Sequence, residues 1–487
     1  MKNNPDKTAK DPSAPKFDKI DSSAGRFRDK LSKEAWVPGL IEVVFRNPDD
    51  SGVRDWNFEE EYERRKPSKA WPDDLTKTLL SHGLVSWKPS FPLRYPWSTD
   101  SPEKAREIYH EAGRDKFVSL SFSPAVETRR IAAEIRDLPE IEQAAAVPRV
   151  GPPSGPLDER FVGANDQPVV AFCDENGCVQ TQWYLFRCKV DQAWQKTNAV
   201  GEGLSGKGVV IADIDWGFNP NHQDLRDQIK LTQSVFPNAI SPVNVANGSR
   251  CHHGTAVLGI AGAQLNTQGI VGVAFGADLW AIQAGLDDIE DHSAWVAGMD
   301  FVRTQTDQAR RVIILEVETI LGGNIEMIPS IAHEIREAIN NRIVVCVPAG
   351  NRGLDAGIGD DNIPIPATGS ILVGATRFDP LDNIRIGNGG CRVVVYAPGD
   401  LSIDVTCGLP DNGYVAGFGG TSSAVAKVAG VAALMLEKNP TLTHEQVRDI
   451  LSRSQIRVVD DFSNPVGVLV DADQAVSAAC HPVAPHY

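Results

Sequence analysis

Val209-Val210-Ile211-Ala212-Asp213-Ile214-Asp215 is a short apolar run that ends on a carboxylate, with Trp216-Gly217 breaking it immediately afterwards. Four further runs of this kind follow: Leu279-Trp280-Ala281-Ile282, Val312-Ile313-Ile314-Leu315, Ile343-Val344-Val345-Cys346-Val347 and Ile371-Leu372-Val373-Gly374, with helical stretches between them. Near-continuous apolar strands alternating with helices indicate a parallel sheet covered on both faces. The expected fold class is α/β, a doubly wound, mostly parallel sheet. Sites in such sheets form beyond the carboxyl ends of the strands, which puts Asp215 on the chemical rim.

Three other stretches bear on that rim. Gly417-Phe418-Gly419-Gly420-Thr421-Ser422-Ser423-Ala424 is a glycine-rich turn running into a small-residue helix. A serine in a first helical turn has its hydroxyl beside free N–H groups and the positive end of the helix dipole, where an oxyanion can be held. Cys251-His252-His253-Gly254-Thr255 places a histidine before a second small-residue helix, and Ala349-Gly350-Asn351 sets an amide just past a strand. Taken singly, each has a plain structural reading as a cap or a turn. Adjacent histidines chelate one ion poorly, so no metal is expected at His252-His253. The order Asp, His, Asn, Ser along a doubly wound sheet changes the reading.

With these residues in that order, the sequence resembles the subtilisin-like serine peptidases, the subtilase family, over roughly Trp183 to Gln455. Val210 to Gly217 resembles the family's aspartate motif, His253-Gly254-Thr255 its histidine motif, and Gly420-Thr421-Ser422-x-Ala424 with Val428-Ala429-Gly430 its serine motif. Gly269-Ile270-Val271-Gly272-Val273-Ala274 matches the stretch after the histidine helix. Pro440 to Val447 resembles the last helix, with Thr443 and Gln446 as a capping box and Leu442 and Val447 as a staple. The resemblance implies Ser422 as nucleophile, His253 as general base and acid, Asp215 as its orienting carboxylate, and Asn351 as oxyanion donor.

Two departures stand out. The family's Ala-Thr-Pro-His after the serine is replaced by Ala424-Val425-Ala426-Lys427, which favours an uninterrupted helix. The usual Ser-Leu-Gly lining the cleft is replaced by Glu316-Val317-Glu318. Glu316 and Glu318 share a strand face, and as substrate-binding residues they would favour a basic side chain before the scissile bond. The other reading is that they cap or pair internally.

Residues 1–32 are polar and are expected to form a tail without stable order. Residues 33–150 read as a compact α+β unit with an antiparallel sheet, from strands at Leu40–Phe45, Leu84–Trp87, Phe117–Phe122 and Ile141–Val147 and helices at Asp74–Ser81, Pro102–Ala112 and Glu127–Leu138. A Gly/Pro-rich linker, 151–182, precedes the peptidase-like domain at 183–487. By position and pattern the first unit resembles a subtilase propeptide, an inhibitor of its own enzyme; a permanent regulatory domain is the alternative.

With 48 Lys and Arg against 64 Asp and Glu, the net charge of −16 argues against nucleic acid as a partner. No run approaches the roughly 20 apolar residues of a membrane span, and the first residues lack a usual secretory signal. A cytoplasmic location, or release without such a signal, is the expectation. The eight cysteines suit free thiols, with Cys391–Cys407 or Cys173–Cys178 open to bridging in an oxidising compartment. The expected function is a serine endopeptidase acting on protein or peptide substrates through an acyl-enzyme. No cofactor is required by that chemistry, and calcium sites are not legible. A catalytically silent peptide-binding protein and a general esterase are the competing readings.

Overall fold

The computed structural model describes residues 36–54, 56, 63–91, 109–151, 182–236, 251–266, 269–285, 292–307, 309–378, 382–399, 403–406 and 411–480. The expected tail, nearly all of the linker, most of the Pro102–Ala112 helix, and Cys173, Cys178 and Cys407 lie outside these residues. Cys188, Cys346, Cys391 and Cys480 are free thiols.

The first unit contains β1 (Trp36–Phe45), α1 (Asp73–Ser81), β2 (Leu84–Pro89), β3 (Phe117–Phe122), α2 (Thr128–Arg136) and β4 (Ile141–Pro148). Its sheet runs β2-β3-β1-β4 with every pairing antiparallel. The 3.6-residue spacing of Ile131, Ala132 and Ile135 buries one face of α2. Trp87 anchors the interior, with Trp56 and Trp71 centred 4.8 and 4.9 Å from it.

After β5 (Val150–Gly151), the second unit is built on β6 (Val209–Asp215), β7 (Ile229–Ser234), α3 (Cys251–Gly262), β8 (Asp278–Gln283), α4 (Ser293–Thr304), β9 (Arg310–Leu315), β10 (Glu318–Thr319), α5 (Pro329–Asn340) and β11 (Val344–Pro348). It continues through β12 (Ile371–Phe378), β13 (Asn383–Ile386), β14 (Val395–Pro398), β15 (Ile403–Thr406), β16 (Tyr414–Phe418), α6 (Gly420–Lys438), α7 (His444–Ser452), β17 (Ile456–Val459), β18 (Pro465–Leu469) and α8 (Ala472–Ala478). The main sheet has the order β13-β17-β18-β14-β12-β11-β9-β6-β8-β7. From β14 to β7 all pairings are parallel, as the apolar runs require.

The five expected strands are present, β6 with the bounds expected and the other four displaced at their ends by a few residues. Strand β7 and strands β13 to β18 were not anticipated, because they are short or alternate with polar residues, as in Ile229-Lys230-Leu231-Thr232-Gln233-Ser234. The capping box at Thr443 and Gln446 forms as expected, but β17, β18 and α8 follow α7, so it is not the last helix.

Alternate residues of β6 feed two cores. Val209 and Ile211 pack with α3 and α6, while Val210, Ala212 and Ile214 pack with α4 and α5. Helix α6 is buried from Gly420 to Glu437, its alanines and glycine allowing it to lie inside the fold. It is unbroken through Ala424–Lys427, and Lys427 donates to the carbonyl and hydroxyl of Ser423 beneath the ring of Tyr184.

The first unit docks on α4 and α5. Glu42 of β1 accepts the N–H of Ser330 at the start of α5 (2.8 Å), using the helix's positive end. Arg114 donates to Asp300 (2.6 Å) and Glu334 (2.7 Å), and Phe91 and Phe117 flank His333. Just beyond β4, β5 pairs antiparallel with β10, Gly151 opposite Glu318.

Candidate active site

The strand order reverses at β6: β8 and β7 lie on one side, β9 and β11 on the other. The crevice at such a switch point opens beyond the strand's carboxyl end, where Asp215 is fully buried. Its Oδ1 accepts the N–H of Trp216, and its Oδ2 lies 2.7 Å from His253 Nδ1. With the proton on Nδ1, His253 Nε2 is left to accept from the Ser422 hydroxyl at 3.1 Å.

Local sequence explains how these groups meet. A Cβ at Gly254 would stand 2.6 Å from the carbonyl of Gly217 and from the Phe218 ring, so only glycine lets α3 approach the end of β6. Thr255 Oγ1 then accepts the N–H of Asn219, tying helix to loop. Gly420 has φ +68°, a left-handed turn that swings the chain from Gly419 into α6 two residues before Ser422.

Asn351 follows β11. Its Oδ1 accepts the N–H of Thr421 (2.8 Å), which fixes the amide so that Nδ2 is the outward donor; that Nδ2 is buried with no hydrogen-bond partner. An unpaired buried donor is costly unless a ligand completes it. The backbone N–H of Asn351 donates to Glu318 (3.1 Å). Asn388 braces the same loop, donating to the carbonyls of Gly322 and Ala349 and accepting from the N–H groups of Arg352 and Leu354. Nothing in the local sequence marks Asn388, because its partners are remote along the chain.

All six expected site residues are therefore brought to one region, but Glu316 and Glu318 do not share the expected strand, since Glu316 lies in the break between β9 and β10 and Glu318 begins β10. Both are buried. Glu318 is engaged with Asn351, while Glu316 follows β9 beside the carboxyl end of β6. Its backbone N–H donates to the carbonyl of Ile214 of β6 (3.1 Å), and both carboxyl oxygens are buried without a hydrogen-bond partner.

Charge is dense here. Burial opposes the charged imidazole of His253, yet Asp215, by charge and hydrogen bond, together with Glu316 and Glu318, raises it to about 9. Burial pushes the Glu316 carboxyl up to about 8, with Asp215 and Glu318 adding and His253 and the Ser422 hydroxyl opposing. Asp213, also buried, is raised by burial and by the nearby Asp215 and Glu316. Among the described residues no group of three or more His, Cys, Asp or Glu is arranged to hold a metal ion, and no helix is long and apolar enough to cross a membrane.

A family model described as the subtilase family matches residues 206–474, more than half of the chain. The chain belongs to the subtilase family. Subtilisin E of Bacillus subtilis (strain 168) is 29% identical over 315 residues, covering 64% of this chain and 77% of that protein. Subtilisin DY of Bacillus licheniformis is 31% identical over 273 residues, 55% of this chain and 91% of the relative. Among solved structures, fervidolysin from Fervidobacterium pennivorans, a keratinolytic enzyme related to subtilisin, aligns with a TM-score of 0.55 at 18% identity. That alignment covers 91% of this chain and 61% of fervidolysin, and it shows a shared fold. This subtilase is a serine endopeptidase, a hydrolase of peptide bonds.

Proposed function

We propose that this subtilase cuts its substrates through an acyl-enzyme on Ser422, and that its first substrate is its own connector between Val150 and Trp183. The observation that carries the first part is the unbroken relay from Asp215 through His253 to Ser422, at 2.7 and 3.1 Å. Ser422 Oγ attacks the scissile carbonyl carbon as His253 Nε2 takes its proton. Asp215 holds the tautomer and stabilises the imidazolium. Asn351 Nδ2 and the Ser422 N–H receive the developing oxyanion. Collapse breaks the C–N bond, and the proton on His253 passes to the leaving amine. Water then gives a proton to His253 as it attacks the ester, and the acid leaves with Ser422 restored.

Self-processing is supported by the course of β5. The segment leaving the first unit adds as a strand to β10, whose Glu318 holds the N–H of Asn351, so the connector starts out beside the oxyanion donor. The same contacts suit the first unit as an inhibitor that occupies the crevice before and after the cut.

The test is fluorophosphonate labelling of the full chain and of Ser422→Ala, with intact-mass analysis of both. Wild type should take up one label and lose a fragment ending between Val150 and Trp183, whereas Ser422→Ala should remain whole and unlabelled. An unlabelled, uncut wild type that stays so when the first unit is displaced by mild denaturant would leave the silent binding protein as the better reading.

A further inference from the structure

The turn that carries Ser422 is tethered on both sides. On one side Thr421 gives its N–H to Asn351 Oδ1 (2.8 Å), and the N–H of Gly420 donates to the carbonyl of Gly399 (2.7 Å). On the other, the Lys427 amino group donates to the Ser423 carbonyl oxygen (2.9 Å) and to its hydroxyl (2.5 Å). No side chain caps the start of α6 at Gly419, so these tethers take the place of a cap. Burying an amino group costs free energy unless its hydrogen bonds are supplied, and Lys427 is only 1% exposed. A methionine of similar volume would fill the same place without that cost. What Lys427 adds is a grip on the residue next to the nucleophile.

A further contact leads out of α6. The Lys427 amino group stands 4.4 Å from the centre of the Tyr184 ring, which is itself fully buried. Tyr184 opens the helical turn Tyr184–Arg187, directly after the connector. Gln182 Nε2 donates to the Tyr184 hydroxyl (2.9 Å) and to the Val271 carbonyl (2.7 Å), and Gln182 Oε1 accepts the Val271 N–H (3.1 Å). The next two residues, Gly272 and Val273, donate to the carbonyls of Ala263 and Ile260 at the end of α3, the helix that carries His253. One short segment is thus joined to the helices of both the nucleophile and the base.

We propose that Lys427 is a positioning residue for the nucleophile, and that Gln182 and Tyr184, at the connector's far end, form the strut that holds it in place. Tyr184 covers the Lys427 amino group, and Lys427, through Ser423, keeps the Ser422 hydroxyl within reach of His253 Nε2. The strut also limits self-processing: a cut past Tyr184 would uncover Lys427 and loosen the turn, so the connector is cut before Gln182.

This inference rests on Ser422 as nucleophile, and its test has an arm that does not. In the first arm, kcat and KM for small peptide substrates are measured on the full chain carrying Lys427→Met, Tyr184→Leu or both. Lys427→Met should lower kcat by about 10–10²-fold with KM little changed, as a slight misplacement of a reacting group does. Tyr184→Leu should lower it by about 3–10-fold, and the double variant should be no slower than Lys427→Met, because both act along one path. Losses that multiply would overturn the strut. A kcat within about twofold of wild type in Lys427→Met, whatever happens to KM, would make Lys427 a packing residue and overturn the proposal.

The second arm follows amide hydrogen exchange in the full-length Ser422→Ala protein, with and without each substitution. Exchange over 420–424 should quicken by about tenfold while 428–435 of the same helix keep their protection. Unchanged exchange overturns the proposal, and so does quickening along the whole helix, which would mark a loss of packing rather than of a tether. Tyr184→Leu leaves the lysine in place and gives the answer if Lys427→Met does not fold. This readout needs neither activity nor labelling, so it decides on the strut even if the nucleophile assignment fails.

Discussion

Between the first unit and helices α4 and α5, two buried carboxylates, Asp300 and Glu334, meet two guanidiniums, Arg114 and Arg303. At the carboxyl end of β6, the buried carboxyls of Asp213, Asp215 and Glu316 lie near one another, and Asp215 alone bonds the one imidazole, His253. In the first place each carboxylate has a guanidinium partner, which opposes the upward push of burial on the Glu334 carboxyl, and the contact acts as a clamp. In the second they are unmatched, so protons must make up the difference. Matched charge gives a joint its specificity; unmatched charge leaves groups poised to titrate, as catalysis needs.

The sharpest way to break this contrast is Arg114→Ala. Removing one member of the matched set strands two carboxylates on Arg303 alone and should cost about 3–5 kcal/mol in denaturant unfolding of the full chain. A loss below about 1 kcal/mol would mean that the joint is held by Phe91, Phe117 and the β1 contacts instead.

On the crevice side, Asn351→Ala should lower kcat by about 10²–10³-fold, with KM nearly unchanged, the loss found for the corresponding donor in the relative subtilisin. Unfolding free energy should fall by no more than about 1–3 kcal/mol, since the unpaired Nδ2 disappears but the N–H of buried Thr421 loses its acceptor. An unchanged kcat would show Asn351 to be a loop brace only, acting through Thr421.

The smallest effect sharpens the joint. Burial pushes the His333 imidazole down to about 4, with Glu337 opposing and Arg114 adding. Because the folded value lies below the unfolded one, the unfolded chain binds the proton first. Stability is complete above about pH 6.5 and falls as pH drops through 4, the loss being about 1 kcal/mol at pH 6. His333→Phe should remove that part of the fall, read as the difference in unfolding free energy between pH 7.5 and 6.

The parts legible in the sequence share one property: their causes are local. Asp215, His253, Asn351 and Ser422 each sit in a few residues of glycine or small side chains that a strand end or helix start demands, and the apolar runs announce the parallel sheet. Arg114 carries no such mark, since it meets Asp300 and Glu334 at separations of 186 and 220 residues. Glu316 and Glu318 lie two residues apart and were expected to act alike. The strand breaks after Leu315, so the two do not share a face, and the partner of Glu318, Asn351, arrives from elsewhere in the chain. Strand β7 was missed for another reason: at the sheet's edge, one side of it needs no apolar partner, and the alternation is diluted.

Helix α6 lies at the centre of the second unit and carries Ser422, yet it comes after β6 and α3 along the chain. A ribosome therefore delivers the orienting carboxylate and the base well before the nucleophile, and the first unit before all of them. Domains tend to fold in order of synthesis, so the clamp surface of the first unit is already formed when the protease becomes chemically complete. The timing of translation thus sets the first unit's docking surface in place ahead of the nucleophile.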